Sequence, residues 1–198
     1  MTQELTERPV RGYAALLILT GIIGWMSSFA LTMDKFHLLE DPDGQLTCDF
    51  NILVQCSANL NSWQGSVFGF PNSLVGLAAF TVPIVLGLAL LAGARFARWF
   101  WWGFLSGTFL GFVWVLWFMS QSFFEIGKLC PWCTTMWIAM IPLFVVTLIR
   151  VLRDHAGGSE RYRRVMNEVS NWTWVILVAL YLILALLIHI FLDPLAYL

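Results

Sequence analysis

Residues 130–149 read CPWCTTMWIAMIPLFVVTLI, and this stretch decides the fold. From Pro131 to Ile149 it carries no charge, and it falls within the roughly 17–25 residues that a membrane-crossing helix needs. Pro131 suits the first helical position, where its missing N–H costs nothing. The two cysteines therefore stand at the N-terminal end of an apolar helix. The helix dipole and its free N–H groups stabilise a thiolate there. Two residues between the thiols let a disulfide close across one turn. Cys130 is expected near the aqueous edge, and Cys133 about one turn deeper, where it can meet a ligand arriving through the bilayer.

Four more runs of similar length flank this one. Tyr13 to Met33 is the first span. Val67 to Ala92 is the second, broken near its start by Pro71 and again by Pro83. Trp99 to Ser120 is the third, and Trp172 to Leu192 the fifth. The whole chain is 59% hydrophobic, 16% aromatic and only 12% charged, half the charge of an ordinary soluble domain at about 25%. The expectation is an all-α integral membrane protein with five transmembrane helices, one membrane domain over 1–198 and no fused thioredoxin-like domain after the last span. Trp25, Trp99, Trp101, Trp102, Trp172 and Trp174 read as interfacial anchors. A net charge of −1 leaves no basic footprint for nucleic acid. The first run is too long for a secretory h-region and no clear small-residue cleavage site follows, so it reads as an uncleaved helix.

Basic residues set the orientation. Arg8 and Arg11 precede the first span, Arg95 and Arg98 join the second to the third, and Arg150, Arg153, Arg161, Arg163 and Arg164 lie between the fourth and fifth. Nine of the 11 Lys and Arg thus share one side, against Lys35 and Lys128 on the other. The positive-inside rule places the N-terminus in the cytoplasm and the C-terminus outside, in a multi-pass protein of the plasma or inner membrane. Both cysteine pairs then face outward, where disulfides persist.

The loop from Asp34 to Ser66 is the longest on the outer side, and loops of such length are usually functional. It holds Cys48 and Cys56, with Glu40, Asp41, Asp43 and Asp49 around them. Its second half, Ser57 to Gly65, is expected to lie on the membrane as a short helix, with Leu60 and Trp63 on one face. Asp154 to Ser170 is polar and expected to be partly helical. Gly103, Gly107 and Gly111, at four-residue spacing in the third span, read as a stripe for tight helix packing. His189 reads as interfacial, and His37 as a loop residue with no evident partner.

Two cysteine pairs on one side of a membrane suggest a relay of disulfides between a soluble dithiol and something dissolved in lipid. Two structural disulfides, four inert thiols and a four-cysteine zinc site are the competing readings. The Cys48-to-Cys56 interval is wider than the usual zinc knuckle.

The residues also carry a resemblance. Cys48-Asp49, Cys56-Ser57, Ser62-Trp63, then Asn72-Ser73 and Gly76, then Cys130-Pro131-Trp132-Cys133-Thr134-Thr135 resemble the vitamin K epoxide reductase family in its compact bacterial form. The likeness covers roughly residues 13–150. Another quinone-linked thiol oxidase family carries its two pairs in the opposite order. The resemblance implies four helices around a quinone, of the menaquinone, phylloquinone or ubiquinone type, and a fifth helix at the periphery. It implies that Cys48 takes electrons from an external dithiol, that Cys56 shuttles them to Cys130, and that Cys133 faces the quinone. It assigns Asn72 to a quinone oxygen, with an interhelical hydrogen bond as the alternative, and makes Ser62, the family's loop serine, Leu60, Trp63 and Trp137 further candidates for the quinone site, with no role set for Ser62. The tyrosine of the animal enzymes is Trp137 here, whose indole is a donor only. The partner implied is a separate DsbA-like, thioredoxin-fold protein, and the activity a quinone-dependent thiol oxidoreductase that supports disulfide formation. Two rivals remain: the same chemistry run as a reductase of vitamin K quinone or epoxide, and a non-catalytic scaffold or transporter stapled by disulfides.

Overall fold

The computed structural model describes residues 2–42, 44–155 and 159–192. Asp43 and the C-terminal residues 193–198, expected on the outer side, lie outside the described residues, as do the side chains of Glu4, Glu7 and Arg8. The helices are α1 (Thr2–Glu40), α2 (Cys56–Asn61), α3 (Asn72–Leu91), α4 (Arg98–Gln121), α5 (Pro131–His155), α6 (Glu160–Asn171) and α7 (Thr173–Leu192). A 3-10 turn covers Trp63–Ser66 and a π-turn Ser122–Ile126. Among the described residues, five helices are long and apolar enough to cross a membrane. The outward faces are apolar, as at Leu110 and Leu182, each about two-thirds exposed, and such faces suit lipid rather than water.

Helix ends depart from the expected spans for local reasons. α1 continues past Met33 through the polar stretch to Glu40, because the first breaker is Asp41-Pro42. At about 1.5 Å per residue, the extra turns lift its end roughly 10 Å beyond Met33. The outer loop is correspondingly shorter than the sequence suggested. The second span begins at Asn72, with Pro71 as its N-cap, and Pro83 sits inside α3 without ending it. Transmembrane helices tolerate such prolines. α4 extends through the π-turn, which Gly127 closes at φ 63° in the left-handed region that glycine adopts freely. α5 continues through Arg150 to His155 and takes the start of the polar stretch, leaving α6 as the helix of the 154–170 segment.

α5 is the hub, touching α1, α4, α6 and α7, while α1 packs along α3. Among the described residues, α7 packs against α5, α6 and the π-turn. The arrangement is four helices with a peripheral fifth, as expected. The close packing is where the sequence did not put it. A Cβ on Gly21 would lie 2.6 Å from Ile84 Cγ1, and one on Gly87 would lie 2.6 Å from Ile18 Cγ1. The α1–α3 seam is therefore the small-residue contact. The Thr32 hydroxyl adds a hydrogen bond to Ser73 Oγ at 2.8 Å.

Gly103 and Gly107 have nothing within 4 Å of a built Cβ, and Gly111 meets only the end of Met140. Their stripe is not a packing seam, and it faces the gap where α3 and α4 hardly touch. Trp101 also departs from its expected place at the interface. It is buried, 6.1 Å from the Tyr13 ring, while Trp99, Trp172 and Trp174 are well exposed.

Candidate functional site

The site is assembled by the loop between α1 and α3. Cys48 and Cys56 form a disulfide, and Cys130 and Cys133 are free thiols. Asp49 orders the second of the loop cysteines. Its Oδ1 accepts the backbone N–H of Cys56 at 2.6 Å and of Ser57 at 3.1 Å. These are the first orphan donors of α2, so a side chain from the preceding loop caps the helix that carries Cys56. Asn51 folds the intervening turn by accepting the N–H groups of Leu53 and Val54.

Two backbone hydrogen bonds then fix the loop to the fourth span. Leu129 N–H donates to Leu53 O at 2.7 Å, and Gln55 N–H donates to Leu129 O at 2.9 Å. The pair Val54 and Leu129 makes one isolated parallel bridge, two residues ahead of Cys56 and one ahead of Cys130. The consequence is that Cys130 Sγ lies 3.7 Å from Cys56 Sγ, with both residues fully buried. The Cys133 N–H points at Cys130 Sγ at 3.3 Å, as expected for a sulfur held by a helix N-terminus. Deeper ties close the cap. Ser122 Oγ donates to Asn59 Oδ1 at 3.0 Å, and Gln64 Nε2 donates to Gln121 Oε1 at 3.3 Å.

Beneath this cap lies a cavity of about 720 Å³ between α3, α4 and α5. Cys133 lines it and Cys130 does not, which is the depth order read from the sequence. The walls are apolar and aromatic, with Phe80, Phe104, Trp114 and Trp137 among them. Asn59, Asn72 and Ser73 bring polar groups to its outer end. The glycine stripe of α4 forms one wall, where the missing side chains leave room. An apolar chamber with a few polar groups at one end fits a quinone ring, whose faces are apolar and whose two carbonyls accept hydrogen bonds.

The other residues singled out from sequence divide. Leu60 and Trp137 are buried and line the cavity. Among the described residues nothing accepts the Trp137 indole N–H. Asn72 lines the cavity but is already engaged. Its Nδ2 donates to Gln64 O at 2.5 Å and its Oδ1 accepts from Val67 N–H at 3.2 Å. Each amide nitrogen carries two hydrogens, so one donor is left over. Ser62 is outside the cavity lining and is used within the turn, donating to Asn59 O at 2.7 Å and accepting from Gly65 N–H. Trp63 is two-thirds exposed and packs edge-on against Trp117. The expected Ser57–Gly65 helix is broken at Ser62, which adopts extended backbone (φ −72°, ψ 155°), so Leu60 turns inward while Trp63 faces out.

Asp49 as a cap, Asn59, Ser122 and Leu129 were not marked by any sequence signal. Asp49 stands well ahead of the helix it caps, and the Leu129 pairing is long-range. Asp34, Cys48 and Cys56 also bring their ligand-type atoms within 4.8 Å of one another. The two sulfurs are bonded to each other, so neither is a thiolate ligand in this state.

No curated protein matches the chain. The family profile described as "Vitamin K epoxide reductase family" matches residues 15–148. That stretch is more than half of the sequence and holds all four cysteines, the cavity-lining part of α3 and the whole of α4. The chain therefore belongs to the vitamin K epoxide reductase family, whose members are membrane oxidoreductases of thiols and quinones.

Proposed function

We propose that this protein oxidises the dithiol of an extracytoplasmic thioredoxin-fold protein and delivers the electrons to a bilayer quinone, so supporting disulfide formation. The observation that carries the reading is the file of sulfurs from loop to cavity, with Cys56 and Cys130 3.7 Å apart and Cys133 on the cavity wall.

The chemistry is thiol–disulfide exchange, in which a thiolate attacks one sulfur of a disulfide and expels the other. A partner thiolate attacks Cys48, and Cys56 leaves. Cys56 then attacks Cys130 of a Cys130–Cys133 disulfide, and Cys133 leaves as the thiolate facing the cavity. The partner's second thiol releases Cys48. Cys48 attacks Cys56, which restores the loop disulfide and frees Cys130. The protein with its loop pair joined and its inner pair reduced corresponds to this stage. A bound quinone supplies an acceptor for two electrons and two protons. Trp137 offers its N–H to the cavity, and Asn72 has one amide hydrogen left to give. The cap of Leu60, Asn59 and Gln64 keeps bulk water from the inner sulfur. The nine cytoplasmic basic residues set the pairs on the outer side.

The test is steady-state turnover. Purified protein, a reduced thioredoxin-fold dithiol and a soluble short-chain quinone should give one quinol per partner disulfide formed. A folded protein that yields no quinol contradicts the reading.

A further inference from the structure

Asp34 lies on the part of α1 that overhangs the span, half-buried beside the loop disulfide. Its Oδ2 is 3.4 Å from Cys48 Sγ. No hydrogen can sit on that sulfur while the disulfide is closed, but once the disulfide opens the same geometry suits an S–H donor and a carboxylate acceptor. The neighbouring Lys35 does not pair with it. Its amine turns to the end of α2, donating to Leu60 O at 2.9 Å and Asn61 Oδ1 at 3.1 Å. The titratable groups that face Asp34 are His37 from α1 and Asp49 from the loop, with Cys48 and Cys56 beyond. Among the described residues Asp34 forms no ion pair. A carboxylate in no ion pair among the described residues, with His37 as its cationic neighbour and set against the sulfur that must gain and lose a proton in each cycle, is placed as a proton carrier.

We propose that Asp34 is the catalytic base and acid of Cys48, taking its proton when Cys48 attacks a disulfide and returning it when Cys48 is expelled. In the forward step the Cys48 thiol gives its proton to the Asp34 carboxylate. The thiolate attacks Cys56 in the Cys56–Cys130 disulfide, the Cys48–Cys56 bond forms, the Cys56–Cys130 bond breaks, and Cys130 leaves with the electron pair. When a partner's second thiolate breaks a partner–Cys48 disulfide, the Asp34 carboxyl protonates the leaving Cys48. The inference deepens the proposed relay and rests on it for the natural partner and for the Cys56–Cys130 intermediate.

The test isolates the loop pair. A Cys130→Ser, Cys133→Ser chain is reduced, then reoxidised by glutathione disulfide, and closure of Cys48–Cys56 is followed by acid quench and peptide mass. The rate is recorded from about pH 6 to about pH 9, spanning an ordinary thiol pKa near 8.5. With Asp34 present the profile should be shallow, and Asp34→Glu should keep it shallow. Asp34→Asn should become steep, falling about tenfold per pH unit below the thiol pKa, and should meet the parent rate at the alkaline end. A uniform loss at every pH marks a merely structural role and overturns the proposal, as does an unchanged profile. If Asp34→Asn fails to fold, the parent decides alone, because a parent profile already rising tenfold per unit shows no internal base. Neither quinone nor partner enters, so failure here leaves the quinone reading standing. Failure of quinol formation leaves this one standing.

Discussion

Cys56 and Cys130 are 74 positions apart in the chain, yet their sulfurs lie 3.7 Å from one another. Neither helix packing nor hydrophobic burial alone sets such a distance. The backbone pairing of Leu53 and Gln55 with Leu129 puts the residue before each cysteine in register, and the Asp49 cap orients the helix that follows. The loop is held by polar bonds where the proposed relay would open and close sulfur bonds.

Asp49→Ala should cost about 0.5–2 kcal/mol, the usual cost of losing a helix cap, read as a lower midpoint in thermal unfolding. Relay between the pairs should slow by more than the stability loss explains, because Cys56 loses its anchor. Asp49→Asn, which keeps an oxygen acceptor, should recover most of both. An unchanged relay in Asp49→Ala would show that Leu129 alone sets the sulfur distance.

The two glycine seams should behave oppositely. Gly21→Leu drives a side chain into Ile84 on α3 and should cost about 1–3 kcal/mol or more, as overpacking does. Gly107→Leu meets no atom within 4 Å of its first carbon and projects into the cavity. It should melt near the parent temperature while quinone use falls at least tenfold. Thermal melts and quinone titrations on the same two variants check this.

Asn72→Ala removes two bonds to the 64–67 turn and should lower stability by about 1–3 kcal/mol. It should also weaken quinone use. Trp137→Phe keeps a ring and loses only the N–H. It should leave stability nearly unchanged and weaken apparent quinone affinity a few-fold, about 0.5–1.5 kcal/mol for one neutral hydrogen bond. If Asn72→Ala destabilises but leaves quinone kinetics intact, its amide serves the turn alone.

Much of this was legible in the chain, and the parts that were not share one cause. Length and apolarity of the runs gave five spans, and the helix-start position of Pro131 gave the depth order of Cys130 and Cys133. The glycine stripe was misplaced because periodicity marks a face without naming what it meets. Gly103, Gly107 and Gly111 border the cavity, and Gly21 and Gly87 make the seam. Trp101 was misplaced because an indole near a span end fits an interface as well as a core. The helix expected through Trp63 fails at Ser62, whose side chain caps a new turn. Leu129, Asn59 and Asp34 act through partners far away in sequence, which no local pattern reveals.

Orientation is checked with exposed positions on each side. A cysteine introduced at Asp41, in the outer loop, should react with a membrane-impermeant thiol reagent on intact cells. One introduced at Arg161 on α6 should react only after the membrane is opened. Both positions are exposed, so burial does not confuse the result, and the reverse pattern would invert the topology.

The relay contact is tested most directly by removing both sulfurs that can break the bridge between the pairs. In a Cys48→Ser, Cys133→Ser chain nothing remains to attack Cys56 or Cys130 in the Cys56–Cys130 disulfide, so that disulfide should accumulate on oxidation. Non-reducing digestion and mass spectrometry should find the loop peptide that carries Cys56 joined to the start of α5. Recovery of Cys56 and Cys130 as free thiols under the same oxidation would contradict the relay.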